Sequence, residues 1–175
     1  MISYILAVVL GGIVLAVDQY TKFLIMNTFE YQQSADFIKG LIRICYIHNT
    51  GGAWGVLEGH TWVLLAMTIV IMVVCVVLLV KWGAKNKLLF FAMTLVLSGG
   101  VGNLIDRVFR GGNVVDFLQF DFWQEFPVFN VADCAIVIGV GLLMLYFLLD
   151  TVKELKAKKL ADTVKATDDE NNSKD

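Results

Sequence analysis

The sequence is poor in charged residues and in proline. Only 17% of its 175 residues are Asp, Glu, Lys or Arg and only one is proline, whereas 58% are hydrophobic. A soluble domain of this size still exposes roughly 30% of the surface of its unfolded chain, so it could not hide so many apolar side chains. The composition therefore excludes an ordinary soluble domain and predicts an integral membrane protein.

Residues that bind metals or form disulfides are also scarce. Cys45, Cys75 and Cys134 are dispersed, without CxxC spacing, and an odd number of cysteines gives no disulfide framework. The two histidines, His48 and His60, lack a zinc-binding spacing such as HExxH. We therefore expect no metal and no cofactor, and the net charge of −2 argues against a nucleic-acid partner.

Four long apolar runs account for the hydrophobic excess. Each is close to the ~20 residues that a helix needs to cross about 30 Å of hydrocarbon. The runs are 1–26, 61–80, 88–105 and 131–149. They predict an all-α membrane protein with four transmembrane helices, in which residues 1–160 form a single domain.

Lysines indicate the orientation of these helices. They cluster in the short loop after the second run and again after the fourth run, at Lys81, Lys85, Lys87, Lys153, Lys156, Lys158 and Lys159. By the positive-inside rule both clusters face the cytoplasm, which places the N- and C-termini there. Segment 161–175 is polar and has no apolar stripe, so it is predicted to be a disordered cytoplasmic tail.

Two segments, 27–60 and 107–130, then lie on the outer side. Residues 37–46 are rich in β-branched and aromatic side chains and are followed by glycines, which predicts a small extracytoplasmic β element between helices 1 and 2. The second segment is crowded with aromatic residues, which is typical of an interfacial belt. These are Phe117, Phe120, Phe122, Trp123, Phe126 and Phe129.

Three sets of charged and amide residues, in or beside the apolar runs, fall at the outer ends of the predicted helices. They are Asp18 and Lys22 in the first run, Asn103, Asp106 and Arg107 at the end of the third, and Asn130 and Asp133 at the start of the fourth. An Asp at a helix centre costs about 2.5–3.5 kcal/mol to insert, so such residues usually line a polar site. Spacings of three and four residues let each set point into the bundle. The alternative is that they are buried pairs that lock the helices together.

The choice of residue types narrows the chemistry of such a site. Ser98 has no obvious activating partner, and Gly99, Gly100 and Gly102 indicate close helix packing because no strand precedes them. Carboxylates therefore remain as the candidate catalytic groups. When two Asp side chains share a site, one stays protonated while the other is ionised, which suits aspartic peptide hydrolysis. Composition does not select a pair from the four candidate aspartates, which are Asp18, Asp106, Asp116 and Asp133. Because Asp106 precedes Arg107, we expect these two to form an ion pair.

Five sequence blocks in order resemble the lipoprotein signal peptidases (signal peptidase II). The blocks are Asp18-Gln19-Tyr20-Thr21-Lys22, His48-Asn49-Thr50-Gly51-Gly52-Ala53-Trp54-Gly55, Gly102-Asn103-Leu104-Ile105-Asp106-Arg107, Val114-Val115-Asp116-Phe117 and Phe129-Asn130-Val131-Ala132-Asp133. The resemblance covers residues 18–133 and the four-helix layout. Gly52 departs from the family pattern, in which alanine is more usual.

The resemblance implies an intramembrane aspartyl endopeptidase of the bacterial cell membrane. It would remove the signal peptide from prolipoproteins by cutting before the diacylglyceryl-modified cysteine, near the extracytoplasmic face, and its partners would be that signal peptide and membrane lipid. By resemblance Asp116 and Asp133 are the catalytic pair. The family pattern gives substrate-binding or supporting roles to Asp18, Lys22, Asn49, Gly51, Asn103, Asp106, Arg107 and Asn130. We expect a monomer.

The competing hypothesis is a small ion- or proton-conducting transporter subunit, in which Asp18, Asp106 and Asp133 would relay ions. A relay needs polar groups at several depths, whereas the spans below this layer are apolar. A scaffold protein without enzymatic activity is a second alternative. Neither alternative accounts for the five ordered blocks.

Overall fold

The computed structural model describes residues 2–83 and 86–172 of the chain. In this part, four helices are long and apolar enough to cross a membrane, which confirms the four predicted spans. Their bounds are α1 Ile2–Thr28, α2 Thr61–Trp82, α3 Lys87–Phe109 and α4 Val131–Asn172. Lys85, one of the cytoplasmic lysines of the orientation argument, lies outside the described residues.

Helix α3 is the centre of the bundle and packs against each of the other three helices. Its glycines permit this. A Cβ on Gly99 would collide with the backbone of Ala132 on α4, and a Cβ on Gly100 would lie 3.4 Å from the Met72 side chain of α2. A Cβ on Gly102 would lie 2.6 Å from the Oδ2 of Asp18 on α1. The three glycines therefore serve close helix packing, as the sequence predicted.

A three-stranded antiparallel sheet lies at one end of the bundle, with strand order β1-β2-β3. The strands are β1 Ser34–Ile38, β2 Ile42–Asn49 and β3 Val114–Phe120. The predicted β element between α1 and α2 is confirmed as the β1–β2 hairpin, whose turn contains Gly40 at φ +79°. Strand β3 comes instead from the segment between α3 and α4, where the sequence predicted only an aromatic belt.

The inner face of the sheet is held on the bundle by a buried apolar cluster of Ile25, Ile44, Tyr46, Val115 and Phe117. Ile25 comes from the last part of α1, and the other four come from β2 and β3. Full burial of each large apolar side chain contributes about 1.5–3 kcal/mol. The cluster therefore fixes the position of β3 relative to the helices.

Helix α4 is longer than its apolar run, because it continues to Asn172. Backbone 161–172 is thus helical where the sequence predicted a disordered tail, and 173–175 lie outside the described residues. Its Ala, Lys and Glu residues favour helix, but the Asp, Thr and Asn residues that make up most of the stretch do not. Because it extends an existing helix, it bears no nucleation cost.

Candidate active site

Two of the four candidate aspartates line one cavity, and they are brought together by β3 and α4. Asp116 is the third residue of β3, and Asp133 is the third residue of α4. Both border a cavity of about 610 Å³, which Asp18 and Asp106 do not line. We refer to Asp116 and Asp133 as the dyad.

Three asparagines hold the dyad through amide hydrogen bonds. Asn49 Nδ2 donates to Asp116 Oδ2 at 2.8 Å, and Asn130 Nδ2 donates to Asp116 Oδ1 at 2.6 Å. Asn103 Nδ2 donates to Asp133 Oδ1 at 2.7 Å, and the backbone N–H of Asn130 donates to Asp133 Oδ2 at 3.1 Å. All four carboxylate oxygens therefore have a donor, which fixes the rotamers of both side chains.

The orientation of each amide is set by a donor on its own carbonyl oxygen. Asn49 Oδ1 accepts from the N–H of Gly51 at 2.9 Å, and Asn130 Oδ1 accepts from the N–H of Asp133 at 2.9 Å. Asn103 Oδ1 accepts from Lys22 Nζ at 3.1 Å. A flipped amide would place its NH₂ against one of these donors, so the nitrogens must face the dyad. The mutual bonds of Asn130 and Asp133 form a capping box at the start of α4.

Asp18 and Asp106 belong to a separate, buried ionic network. Lys22 Nζ lies 3.0 Å from Asp18 Oδ2 and 3.0 Å from Asp106 Oδ2, and all three side chains are almost completely buried. Asp18 Oδ1 accepts from the N–H of Ala132 at 2.9 Å, and Asp106 Oδ2 accepts from the N–H of Val115 at 3.1 Å. The network therefore ties down the residues directly before Asp133 and Asp116. The contacts of Asp18, Lys22 and Asp106 therefore agree with the alternative hypothesis from the sequence, in which buried polar pairs lock the helices together.

The partner of Asp106 differs from the expected one. Its side chain pairs with Arg110 as well as Lys22, and it also accepts from Gln19 Nε2 at 3.2 Å. The prediction of an Asp106–Arg107 pair was wrong because neighbouring helical residues point in different directions. Arg110 lies four residues after Asp106, so helical spacing could have identified it, whereas nothing local indicated Gln19.

Arg107 points to the cavity instead. Its Nη2 donates to the carbonyl oxygen of Gly51 at 3.4 Å, a long hydrogen bond. Its Nε is buried without a hydrogen-bond partner among the described residues. The guanidinium therefore has donors left for oxygen atoms of a bound molecule.

The rest of the cavity wall is mainly apolar. Trp54 packs edge-to-face on Phe126, with ring centroids 5.6 Å apart, and Phe126 belongs to the aromatic segment after β3. On α4 the lining residues Val137 and Ile138 are 70% and 56% exposed, so this wall continues onto the outer surface of the helix. The remaining apolar lining residues, apart from glycines, are Ala53, Val114, Phe120, Pro127, Val128, Phe129, Cys134 and Ile136. A long apolar chain could lie along this wall with a polar group at the dyad.

The environment of Asp116 changes its acidity. Burial raises the pKa of Asp116 to about 7, and the nearby charge of Asp133 contributes in the same direction. The amide hydrogen bonds from Asn49 and Asn130 oppose this rise. A carboxyl group with this pKa can hold a proton near neutral pH, which general acid catalysis requires.

Comparisons with known proteins agree on one family. The family model described as signal peptidase (SPase) II matches residues 10–149. Proteins named lipoprotein signal peptidase are similar, including one from Bacillus pumilus, 42% identical over 154 residues, which are 87% of this chain and 96% of that protein. One from Brevibacillus brevis is 40% identical over 144 residues, 82% of this chain and 95% of that protein. A solved structure described as a bacterial membrane enzyme superposes with a TM-score of 0.78 at 35% identity, covering 86% of this chain and 90% of the other.

Proposed function

The chain belongs to the signal peptidase II family, and on this premise we propose that it removes signal peptides from prolipoproteins as an aspartic endopeptidase, with Asp116 and Asp133 as its catalytic pair. The cut would fall before a diacylglyceryl-modified cysteine. The observation that carries the proposal is a pair of carboxyl groups at one cavity, each oriented by asparagine donors. No other pair of carboxyl groups lines that cavity among the described residues.

Two such carboxyl groups supply the acid and base that peptide hydrolysis needs. The ionised one deprotonates a water molecule, whose oxygen attacks the scissile carbonyl carbon, and the protonated one donates to the carbonyl oxygen. A proton is then delivered to the leaving nitrogen as the C–N bond breaks. The asparagines support this chemistry because they keep both groups in place without adding charge.

The apolar wall favours a lipid-modified substrate. Acyl chains on the cysteine stay in the bilayer, so the scissile bond next to them must lie close to the membrane surface. Each buried CH₂ of such a chain contributes roughly 0.8 kcal/mol, which is enough to concentrate and orient the substrate. The free donors of Arg107 are suited to the ester oxygens of the diacylglyceryl group, and Asn49 lines the same cavity.

Asp18, Lys22 and Asp106 have a supporting role in this proposal, since they tie β3 and α4 to the bundle. Gly51 supports the site through its backbone, which orients Asn49 and accepts from Arg107. The family favours the peptidase over an ion- or proton-conducting subunit. A monomer would suffice, because one chain supplies all of these groups.

The direct test is a cleavage assay with purified full-length protein in lipid bilayers, using a diacylglyceryl-modified precursor and its unmodified form. We expect the modified precursor to be cut at least about tenfold faster, a difference of only about 1.4 kcal/mol in the barrier. Equal rates would refute lipid recognition, and absence of any cleavage would refute the peptidase. Proton flux through the same vesicles would support the transporter hypothesis instead.

Removing Arg107 tests its contact with the substrate. Arg107→Ala should slow cleavage of the lipidated precursor by roughly 10- to 100-fold, since a hydrogen bond to a charged group contributes about 1.5–3 kcal/mol. Folded yield should change much less. Arg43→Ala is the matched control, because Arg43 lies on β2 but does not line the cavity. Normal processing by Arg107→Ala would contradict this role.

Orientation is tested by cysteine labelling in a variant without the three native cysteines. We propose that both termini are cytoplasmic and that segments 27–60 and 107–130, with the active site, face the outside. An impermeant thiol reagent added to intact cells should label Lys39→Cys, in the exposed β1–β2 turn, and should not label Lys153→Cys on α4. The reverse labelling pattern would invert the topology.

A further inference from the structure

The two carboxyl groups have unequal surroundings, and we propose that their roles are fixed. Asp133 is the ionised base that takes a proton from water, and Asp116 carries the proton that is donated to the scissile carbonyl. This assignment rests on the proposed aspartic mechanism. The assignment goes beyond that mechanism because membership of the family does not say which of Asp116 and Asp133 is the base.

The first observation is the position of Asp133 at a helix N-terminus. Asp133 lies in the first turn of α4, and the backbone N–H of Asn130, just before the helix, donates to its Oδ2. The aligned peptide dipoles place a partial positive charge there, which stabilises a carboxylate. Asp116 lies in a β-strand, where the net dipole is small. The backbone thus favours the charge on Asp133.

The second observation is a polarised donor. The Lys22 ammonium donates to Asn103 Oδ1 at 3.1 Å, and Asn103 Nδ2 donates to Asp133 Oδ1 at 2.7 Å. A cation on the amide oxygen makes the amide N–H a stronger donor, so the positive charge acts on Asp133 through Asn103. The amides that donate to Asp116 instead receive neutral backbone N–H groups on their oxygens.

The third observation is burial. Asp116 is 1% exposed, and its carboxyl group contacts the amides of Asn49 and Asn130. Asp133 is only partly buried, so water in the cavity reaches it more readily. Burial disfavours the charged form of a carboxyl group, and Asp116 is the more deeply buried of the two. The more accessible group is also the one placed to contact the attacking water.

The surrounding charges favour one proton on the dyad. The charged groups near it are Asp18 and Lys22 on α1, with Asp106, Arg107 and Arg110 from α3 and its C-terminal end. The positive charges of Lys22 and Arg110 balance the negative charges of Asp18 and Asp106. The positive charge of Arg107 is then left, and one ionised carboxylate of the dyad balances it. A second carboxylate would be an uncompensated buried charge.

The reaction then proceeds with all atoms accounted for. Asp133 takes a proton from water while the hydroxyl oxygen bonds to the carbonyl carbon, and Asp116 gives its proton to the carbonyl oxygen. In the second step Asp133 returns its proton to the nitrogen as the C–N bond breaks. Asp116 regains a proton from a hydroxyl of the tetrahedral intermediate. The products are a carboxylic acid and a free amine, and the dyad returns to its starting state.

The test measures the titration of each carboxyl group alone, by infrared spectroscopy of the full-length protein in lipid bilayers. Asp133→Asn retains only Asp116 of the dyad, and Asp116→Asn retains only Asp133. Subtracting the spectrum of the double variant isolates the carboxylic acid band of the remaining group and removes the coupling between them. We expect the midpoint for Asp116 to lie at least about one pH unit above that for Asp133, a tenfold difference in proton affinity.

Equal or reversed midpoints would overturn the assignment of roles. Where an asparagine variant does not fold, the corresponding alanine variants and their double variant give the same comparison. Cleavage assays on these proteins test the proposed function separately. Full activity in either single variant would refute the dyad itself, whereas two inactive variants with equal or reversed midpoints would refute only the division of roles.

Discussion

Replacing Asp116 or Asp133 by asparagine is expected to reduce cleavage of a lipidated precursor by at least about 100-fold in each variant. An amide can neither accept a proton from water nor donate one as a carboxylic acid does. In the first variant an amide would also face the amide donors of Asn49 and Asn130. The measurement is the initial rate of precursor cleavage, at equal amounts of folded protein in lipid.

Two other aspartates provide the controls for this experiment. Asp36→Asn, at an exposed position of β1, should cleave at the normal rate because Asp36 does not line the cavity. Asp106→Asn should reduce the amount of folded protein more than the rate per folded molecule, since Asp106 pairs with Lys22 and Arg110. Full activity in either dyad variant would remove that residue from the catalytic mechanism.

The helices could be predicted from the sequence because their signal is local. A run of apolar residues of the right length determines a membrane span by itself, and α2 (61–82) shows this most clearly. The β1–β2 hairpin also has local signals, namely β-branched residues and Gly40. Strand β3 does not, because it pairs with β2 from far along the chain, in a register that sets Asn49 opposite Val114. Its aromatic residues were equally compatible with an interfacial belt.

The choice between aspartates depends on tertiary contacts in the same way. All four candidate aspartates lie at one end of the bundle, and their spacing in the sequence does not distinguish them. The structure separates them by their partners, since Asp18 and Asp106 contact cations while the dyad contacts neutral amides. Only the resemblance to a family singled out the dyad from the sequence. Helical spacing could, however, have indicated Arg110 as a partner of Asp106.

Lys22→Met is expected to have the largest effect on stability. Lys22 Nζ lies within 3.1 Å of oxygen atoms of Asp18, Asn103 and Asp106, with its side chain fully buried. Removing one partner of a buried ionic network costs about 3–5 kcal/mol, a large share of the roughly 5–15 kcal/mol that stabilises a typical protein. The unfolding temperature in detergent should fall by roughly 10 °C. Lys153→Met, at an exposed position of α4, should leave it unchanged.

The double variant Lys22→Met with Asp18→Asn separates loss of charge balance from loss of packing. It removes one positive and one negative charge together, and Asp106 keeps its pairing with Arg110. The buried network is then neutral again, so the double variant should be more stable than the sum of the two single losses predicts, by about 0.5–3 kcal/mol. Additive losses would mean that Lys22 acts through packing alone. A positive coupling would mean that its charge holds the starts of β3 and α4, and with them the dyad, on the bundle.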